Sequence, residues 1–86
     1  MNKTWFDRAW DDYEYWQRTD RKMIKRINEL IKDIERNGNT GIGKPEPLKH
    51  ELQGFWSRRI DEQTRLVYRI VRGQMEIAQC KGHYDD

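Results

Sequence analysis

The chain has 86 residues, with 17 Lys and Arg against 15 Asp and Glu, a formal net charge of +2, and a single cysteine, Cys80. That length predicts one domain spanning residues 1–86, with a small core that buries roughly 60–65% of the unfolded surface. The charge balance gives no case for nucleic-acid binding by net charge alone. One cysteine excludes an intrachain disulfide, and no apolar run approaches the roughly 18 residues of a membrane span, so a reducing cytoplasm is the expected compartment.

The opening Met1-Asn2-Lys3-Thr4-Trp5-Phe6-Asp7 has no apolar h-region and no small-residue cleavage site, so no secretory signal is expected. Lys3 to Phe6 suits a short strand. Asp7 then suits an N-cap, and Ala9, Trp10, Tyr13 and Trp16 recur at helical spacing. Thr19 or Asp20 starts a second helix, in which Met23, Ile24, Ile27, Leu30, Ile31 and Ile34 form one apolar stripe. Asn37-Gly38 is its C-cap. Arg18, Arg21, Lys22, Lys25 and Arg26 make a basic stretch that reads first as a solvated helix face, although it also suits a polyanion.

Asn37 to Gly43 reads as a flexible loop. Pro45 and Pro47 each push the preceding residue into an extended conformation, and Pro47 to Leu52 suits one helical turn. Three strand patterns follow, from Phe55 to Ile60, Arg65 to Val71 and Met75 to about Lys81. Asp61 to Thr64 and Arg72-Gly73 are their turns, so antiparallel hairpins are expected. The predicted class is α+β, with two N-terminal helices packed on a small antiparallel sheet. Alternation places Leu66, Tyr68 and Ile70 on one face and Arg65, Val67 and Arg69 on the other. One face is thereby expected to gather Arg59, Arg65, Lys81 and His83, unless a bulge changes the register.

The candidate chemistry lies in Lys44-Pro45-Glu46-Pro47-Leu48-Lys49-His50, Gly54-Phe55-Trp56-Ser57-Arg58-Arg59-Ile60, Arg65-Leu66-Val67-Tyr68 and the terminal His83-Tyr84. A carboxylate, cations and an imidazole are the groups that acid–base cleavage of a phosphodiester requires. Each also has a plainer reading. Glu46 between two prolines suits a helix start, with the acid at the positive dipole end. Arg59 and Arg65 suit an ordinary charged strand face, and a terminal His is most often solvated. Tyr84 either stacks on a base or anchors the tail. Cys80 and His83 fall on opposite faces of a strand, so Cys80 is expected to be a small packed residue. His50 follows Glu46 by four residues, a spacing that would hold a metal on a helix, but two His and no Cys cluster make a poor site. His50 is expected to cap or pack, and neither metal nor cofactor is expected.

Those four segments, together with Trp10-Asp11-Asp12-Tyr13, resemble the YoeB toxins of the RelE superfamily, in order and over nearly the whole chain. The resemblance implies a RelE-like fold and a ribosome-dependent endoribonuclease that cuts mRNA in the A site of the 70S ribosome, against ribosomal RNA. It implies neutralisation by a YefM-type antitoxin and formation of a homodimer. It assigns the general base to Glu46, the phosphate-binding arginine to Arg65, the general acid to His83 and a terminal aromatic to Tyr84. Lys49 and Arg59 match supporting basic positions at the RNA. The family commonly ends at the His-Tyr pair, whereas Asp85-Asp86 follow here, and Gly82 precedes the proposed acid. Two other classes are open on this scaffold. One is a non-catalytic module that blocks the ribosome or a topoisomerase. The other is an interaction protein that uses its Trp and Ile stripes as the interface.

Overall fold

A computed structural model describes residues 1–82. The chain runs β1 (Lys3–Trp5), α1 (Asp7–Thr19), α2 (Arg21–Asn37), β2 (Glu46–Pro47), a 3₁₀ turn (His50–Leu52), β3 (Trp56–Arg59), β4 (Arg65–Val71) and β5 (Gln74–Gln79). The strands form one sheet in the order β1-β5-β4-β3-β2. The expected α+β architecture is present, with one change: β1 joins β5 in parallel, so the sheet is mixed. The chain between β1 and β5 passes through both helices and the three strands β2, β3 and β4, a connection long enough for the parallel pairing.

Asp20 begins α2 as expected, its carboxylate accepting the Lys22 N–H at 3.0 Å. Asp7 instead occupies the first helical position of α1, and extended Phe6 is the cap. The stripe of α2 buries Met23, Ile27, Leu30, Ile31 and Ile34 against Leu66, Tyr68, Met75 and Ile77 of the sheet. In α1 the buried positions are Ala9 and Asp12, flanked by Tyr13 and Trp16, while Trp10 stays 45% exposed. Trp10 lies off that face and covers only the edge of Trp5, at 5.7 Å between ring centres, while stacking on Tyr13.

Arg58 sits on the helix side of the sheet and is fully buried. Its five N–H groups meet five acceptors: the Tyr68 hydroxyl, the Asp33 carboxylate, and the carbonyls of Ile42, Gly38 and Thr40. Asn39 accepts in turn from the Tyr68 hydroxyl at 3.1 Å. Burial pushes the Tyr68 phenol up, with the Arg58 hydrogen bond acting against it. The segment expected to be a flexible loop is thus fastened to the sheet by one guanidinium.

The Arg58 guanidinium, ahead of all other influences, holds the Asp33 carboxyl below its ordinary value. That contribution to stability is complete above the unfolded carboxylate pKa and is lost as pH falls through the lower folded value. Asp33→Asn should therefore lower the urea midpoint at neutral pH and flatten its fall on acidification. Arg58→Met should cost about 3–5 kcal/mol, the range for breaking a buried ion pair. Parallel pH profiles for the parent and Asp33→Asn would show that the pair does not act this way.

Candidate active site

Helices cover one face of the sheet, and the other carries the predicted site residues in rows. Glu46 lies opposite Ser57, Ser57 opposite Val67, and Val67 opposite Gln79. One row along, Arg59 lies directly opposite Arg65. Two residues of strand separate the rows, about 7 Å. Glu46 and Arg59 are exposed, and Arg65 is buried except at its edge. Like charges placed directly opposite one another are destabilising. Among the described residues neither arginine has a carboxylate partner. Two adjacent forked donors without a carboxylate partner among the described residues have the chemistry that suits an anion with several oxygens.

Glu46 belongs to a two-residue edge strand, not to a helix start. The prolines favour that extended state, and Leu48 continues the pairing, its N–H bonded to the Phe55 carbonyl at 2.9 Å. The expected turn is only the short 3₁₀ segment from His50. With Glu46 in a strand and His50 at a turn, the helical spacing needed for a shared metal does not form. His50 is exposed, with a φ of +56°, and therefore does not pack as expected. Lys49 is exposed as the residue that enters this turn.

The Arg65 side chain is steadied by long contacts from Nη1 to the carbonyls of Asp61 and Glu62, each 3.3 Å. Its backbone N–H donates to the Gly82 carbonyl at 3.0 Å. From the other side α1 holds the same segment. The Asp12 carboxylate accepts the Cys80 N–H at 3.0 Å, Trp16 donates to the Cys80 carbonyl at 2.9 Å, and Arg8 donates to the Lys81 carbonyl at 3.0 Å. The chain is thereby brought to Arg65 at the residue before His83. His83 and Tyr84 themselves lie outside the described residues.

The register does shift, between Val67 and Tyr68. Ala78 is the extra residue, and it returns Gln79 to the face of Val67 and Cys80 to the core. The gathering of cations on this face is accordingly smaller than expected. The Lys81 ammonium sits 4.1 Å over the Tyr15 ring of α1 instead of beside Arg65.

Sequence reasoning overlooked Arg58 and Gln79. The signal for Arg58 was a cation at the parity of Trp56 and Ile60, which requires a buried acceptor set. Gln79 is buried, and its Nε2 has no partner among the described residues. Alternation already put Gln79 on the face of Lys81 and His83, and what it did not show is that the side chain is buried there. A crevice of about 430 Å³ is lined by Gln17, Arg21, Ile24, Lys25 and Asn28 on the two helices. The Glu46–Arg65 surface lies on the sheet face away from the helices, where Glu46 and Arg59 are exposed and Ser57, Val67 and Gln79 beside them are buried.

The family model for the YoeB-like toxin of bacterial type II toxin–antitoxin systems matches residues 5–84. The chain is 56% identical to Toxin YoeB of Escherichia coli K12 over 84 residues, which is 98% of this chain and all of that protein. Among solved structures it resembles the toxin in the heterotetrameric YoeB–YefM complex from Staphylococcus aureus, with a TM-score of 0.91 and 52% identity, covering 98% of each chain. The YoeB dimer from the same organism aligns with a TM-score of 0.92 at 52% identity, again over 98% of each chain.

Cys80 is fully buried, and burial, then the Asp12 charge, pushes its thiol up to about 12. It is the packed residue expected, with no nucleophilic character at neutral pH. A thiol reagent such as DTNB should react with the native protein more slowly than with the urea-unfolded chain by roughly 10³-fold or more, following the fraction unfolded. Comparable rates in the two states would mean that the Cys80 pocket opens locally.

Proposed function

The chain belongs to the YoeB-like toxin family of bacterial type II toxin–antitoxin systems, and from that premise we propose that it is a ribosome-dependent endoribonuclease. It cuts mRNA in the A site of the 70S ribosome, halts translation in the cytoplasm, and is held inactive by a YefM-type antitoxin. The observation that carries the reading is the shared sheet face of Glu46, Arg59 and Arg65, away from the helices, with Gly82 bonded to Arg65.

Cleavage uses the 2′-OH of the nucleotide before the cut. Glu46 takes its proton, and the oxygen attacks the phosphorus. Arg65 and Arg59 bind the phosphate oxygens as negative charge gathers on them, and Lys49 adds to the field that holds the RNA. His83 gives a proton to the departing 5′-oxygen, and Tyr84 stacks on a base. The products are a 2′,3′-cyclic phosphate and a 5′-hydroxyl, and the reaction draws on no cofactor. The solved relatives, one bound to YefM and one a dimer, support an antitoxin and a second copy of this chain as its partners.

Single-turnover cleavage on programmed ribosomes tests the roles. Glu46→Gln and His83→Gln should each lose about 10²–10⁴-fold, and Arg65→Ala about 10²–10³-fold, while all three still bind the antitoxin. A 2′-deoxy nucleotide at the cut should abolish cleavage. His83→Gln cutting within about threefold of the parent, where an acid is worth ~10²-fold at least, would remove His83 from the chemistry. Full activity on the 2′-deoxy message would sink the mechanism.

A further inference from the structure

The sheet face away from the helices continues beyond the candidate site. Phe55, the residue before β3, packs against Arg69 of β4, with Leu48 bonded to Phe55 on one side and Glu76 opposite Arg69 on the other. Arg69 is four residues from Arg65 on the same strand and the same face, about 13 Å away. Its guanidinium carbon lies 4.6 Å from the Phe55 ring centre, and its Nε donates to the Glu76 carboxylate. Phe6 follows Trp5, which packs on the core, and so turns to that face. Its ring meets Phe55 edge-on, at 6.3 Å and 83°. Phe6 is 37% exposed and the Arg69 side chain 38%.

These features select a ligand. Glu76 neutralises Arg69, so the guanidinium is poor at attracting a second phosphate. Phe55 on one side and Glu76 at the edge fix its plane, and 38% of the Arg69 side chain stays exposed. A fixed planar cation backed by an aromatic ring, with a second exposed ring as a wall, suits a flat π system. We propose that Arg69, Phe55 and Phe6 form a stacking step for one base of the RNA, neighbouring the nucleotide cut at Glu46 and Arg65. This rests on the endoribonuclease reading above and adds a subsite to it. The occupant is single-stranded RNA because the step continues the face on which the phosphate site lies. Selection there follows stacking strength, so a purine is favoured modestly over a pyrimidine.

Single-turnover cleavage on programmed ribosomes tests it with a message carrying an abasic nucleotide at each flanking position in turn. The parent should slow about tenfold at one of those positions, within the range for one stacked base. Arg69→Lys keeps the charge and removes the plane. It should slow the intact message by a similar factor and lose nothing more on the abasic one. Phe6→Ser, an exposed ring outside the core, should behave alike and keeps the test open should Arg69→Lys fold poorly by thermal melting. A parent that cuts, with variant and abasic losses simply multiplying, overturns the stacking step and leaves the nuclease reading intact. A parent that leaves the message whole sinks both. Variants that cut like the parent but release the antitoxin would make this patch an antitoxin contact, and overturn the inference.

Discussion

The buried guanidinium of Arg58 is the constraint from which the rest of this fold follows. An isolated buried charge is costly, and exchange of a buried ion pair for apolar groups is often neutral. Arg58 differs because it answers to more than one carboxylate. Three of its acceptors are backbone carbonyls of the segment between α2 and β2. That segment has no regular structure to satisfy them, and buried carbonyls must be paired somewhere. Arg58 gathers them at one point, with Asp33 supplying the counter-charge from α2 and Tyr68 the link to β4. The glycines fit this role. A Cβ at Gly41 would stand 2.0 Å from the Asp33 carboxylate, and one at Gly43 would stand 2.8 Å from Leu30, with a φ of +81°. The segment can be drawn this tightly around the guanidinium only because both positions lack side chains.

Glu46 inherits its place from that knot. The Gly43 carbonyl leaves it to accept the Arg59 N–H at 2.7 Å, and the chain then runs along β3 as β2. Two residues of edge strand would be marginal alone. Here they are held at one end by the Arg58 knot and at the other by the Leu48–Phe55 bond. The C-terminal segment reaches the same face by an independent route, clamped between α1 and Arg65. Both approaches end on the sheet face that the helices do not cover. A change at Arg58 would therefore disturb Glu46 through the backbone, although its side chain lies on the opposite side of the sheet.

Periodicity exposed much of this. The stripe of α2, the hairpin turns and the alternation of β3 and β4 all follow from local pattern, and they place Arg59 and Arg65 on one face. Three things were hidden because they are not local. The parallel return of β1 depends on where a distant strand lies. The helix-start reading of Glu46 failed because Leu48 and Phe55 supply pairing that the prolines alone do not reveal. The bulge at Ala78 is a property of two strands together, and beyond it Lys81 lies over Tyr15 instead of beside Arg65, where a simple count put it. Trp10 shows the same limit, since it fits the helical spacing, yet burial went to Asp12, whose carboxylate has a backbone N–H to satisfy.

The strand arginines show how this small sheet separates its own needs from its surface chemistry. With 17 cations against 15 anions, overall charge says nothing about where a polyanion would sit. Pairing does. Arg58 and Arg69 each have a carboxylate, Asp33 and Glu76, and each lies within 6 Å of an aromatic ring centre. Arg59 and Arg65 have no carboxylate among the described residues and face one another. Adjacent like charges lower stability, and in a domain with so small a core such a pair is costly to keep. In the function proposed above a bound phosphate reverses the sign, because each guanidinium then gains the counter-charge that the fold withholds. The unfavourable contact is thus confined to the unliganded protein, and it lies beside the carboxylate that would begin the chemistry.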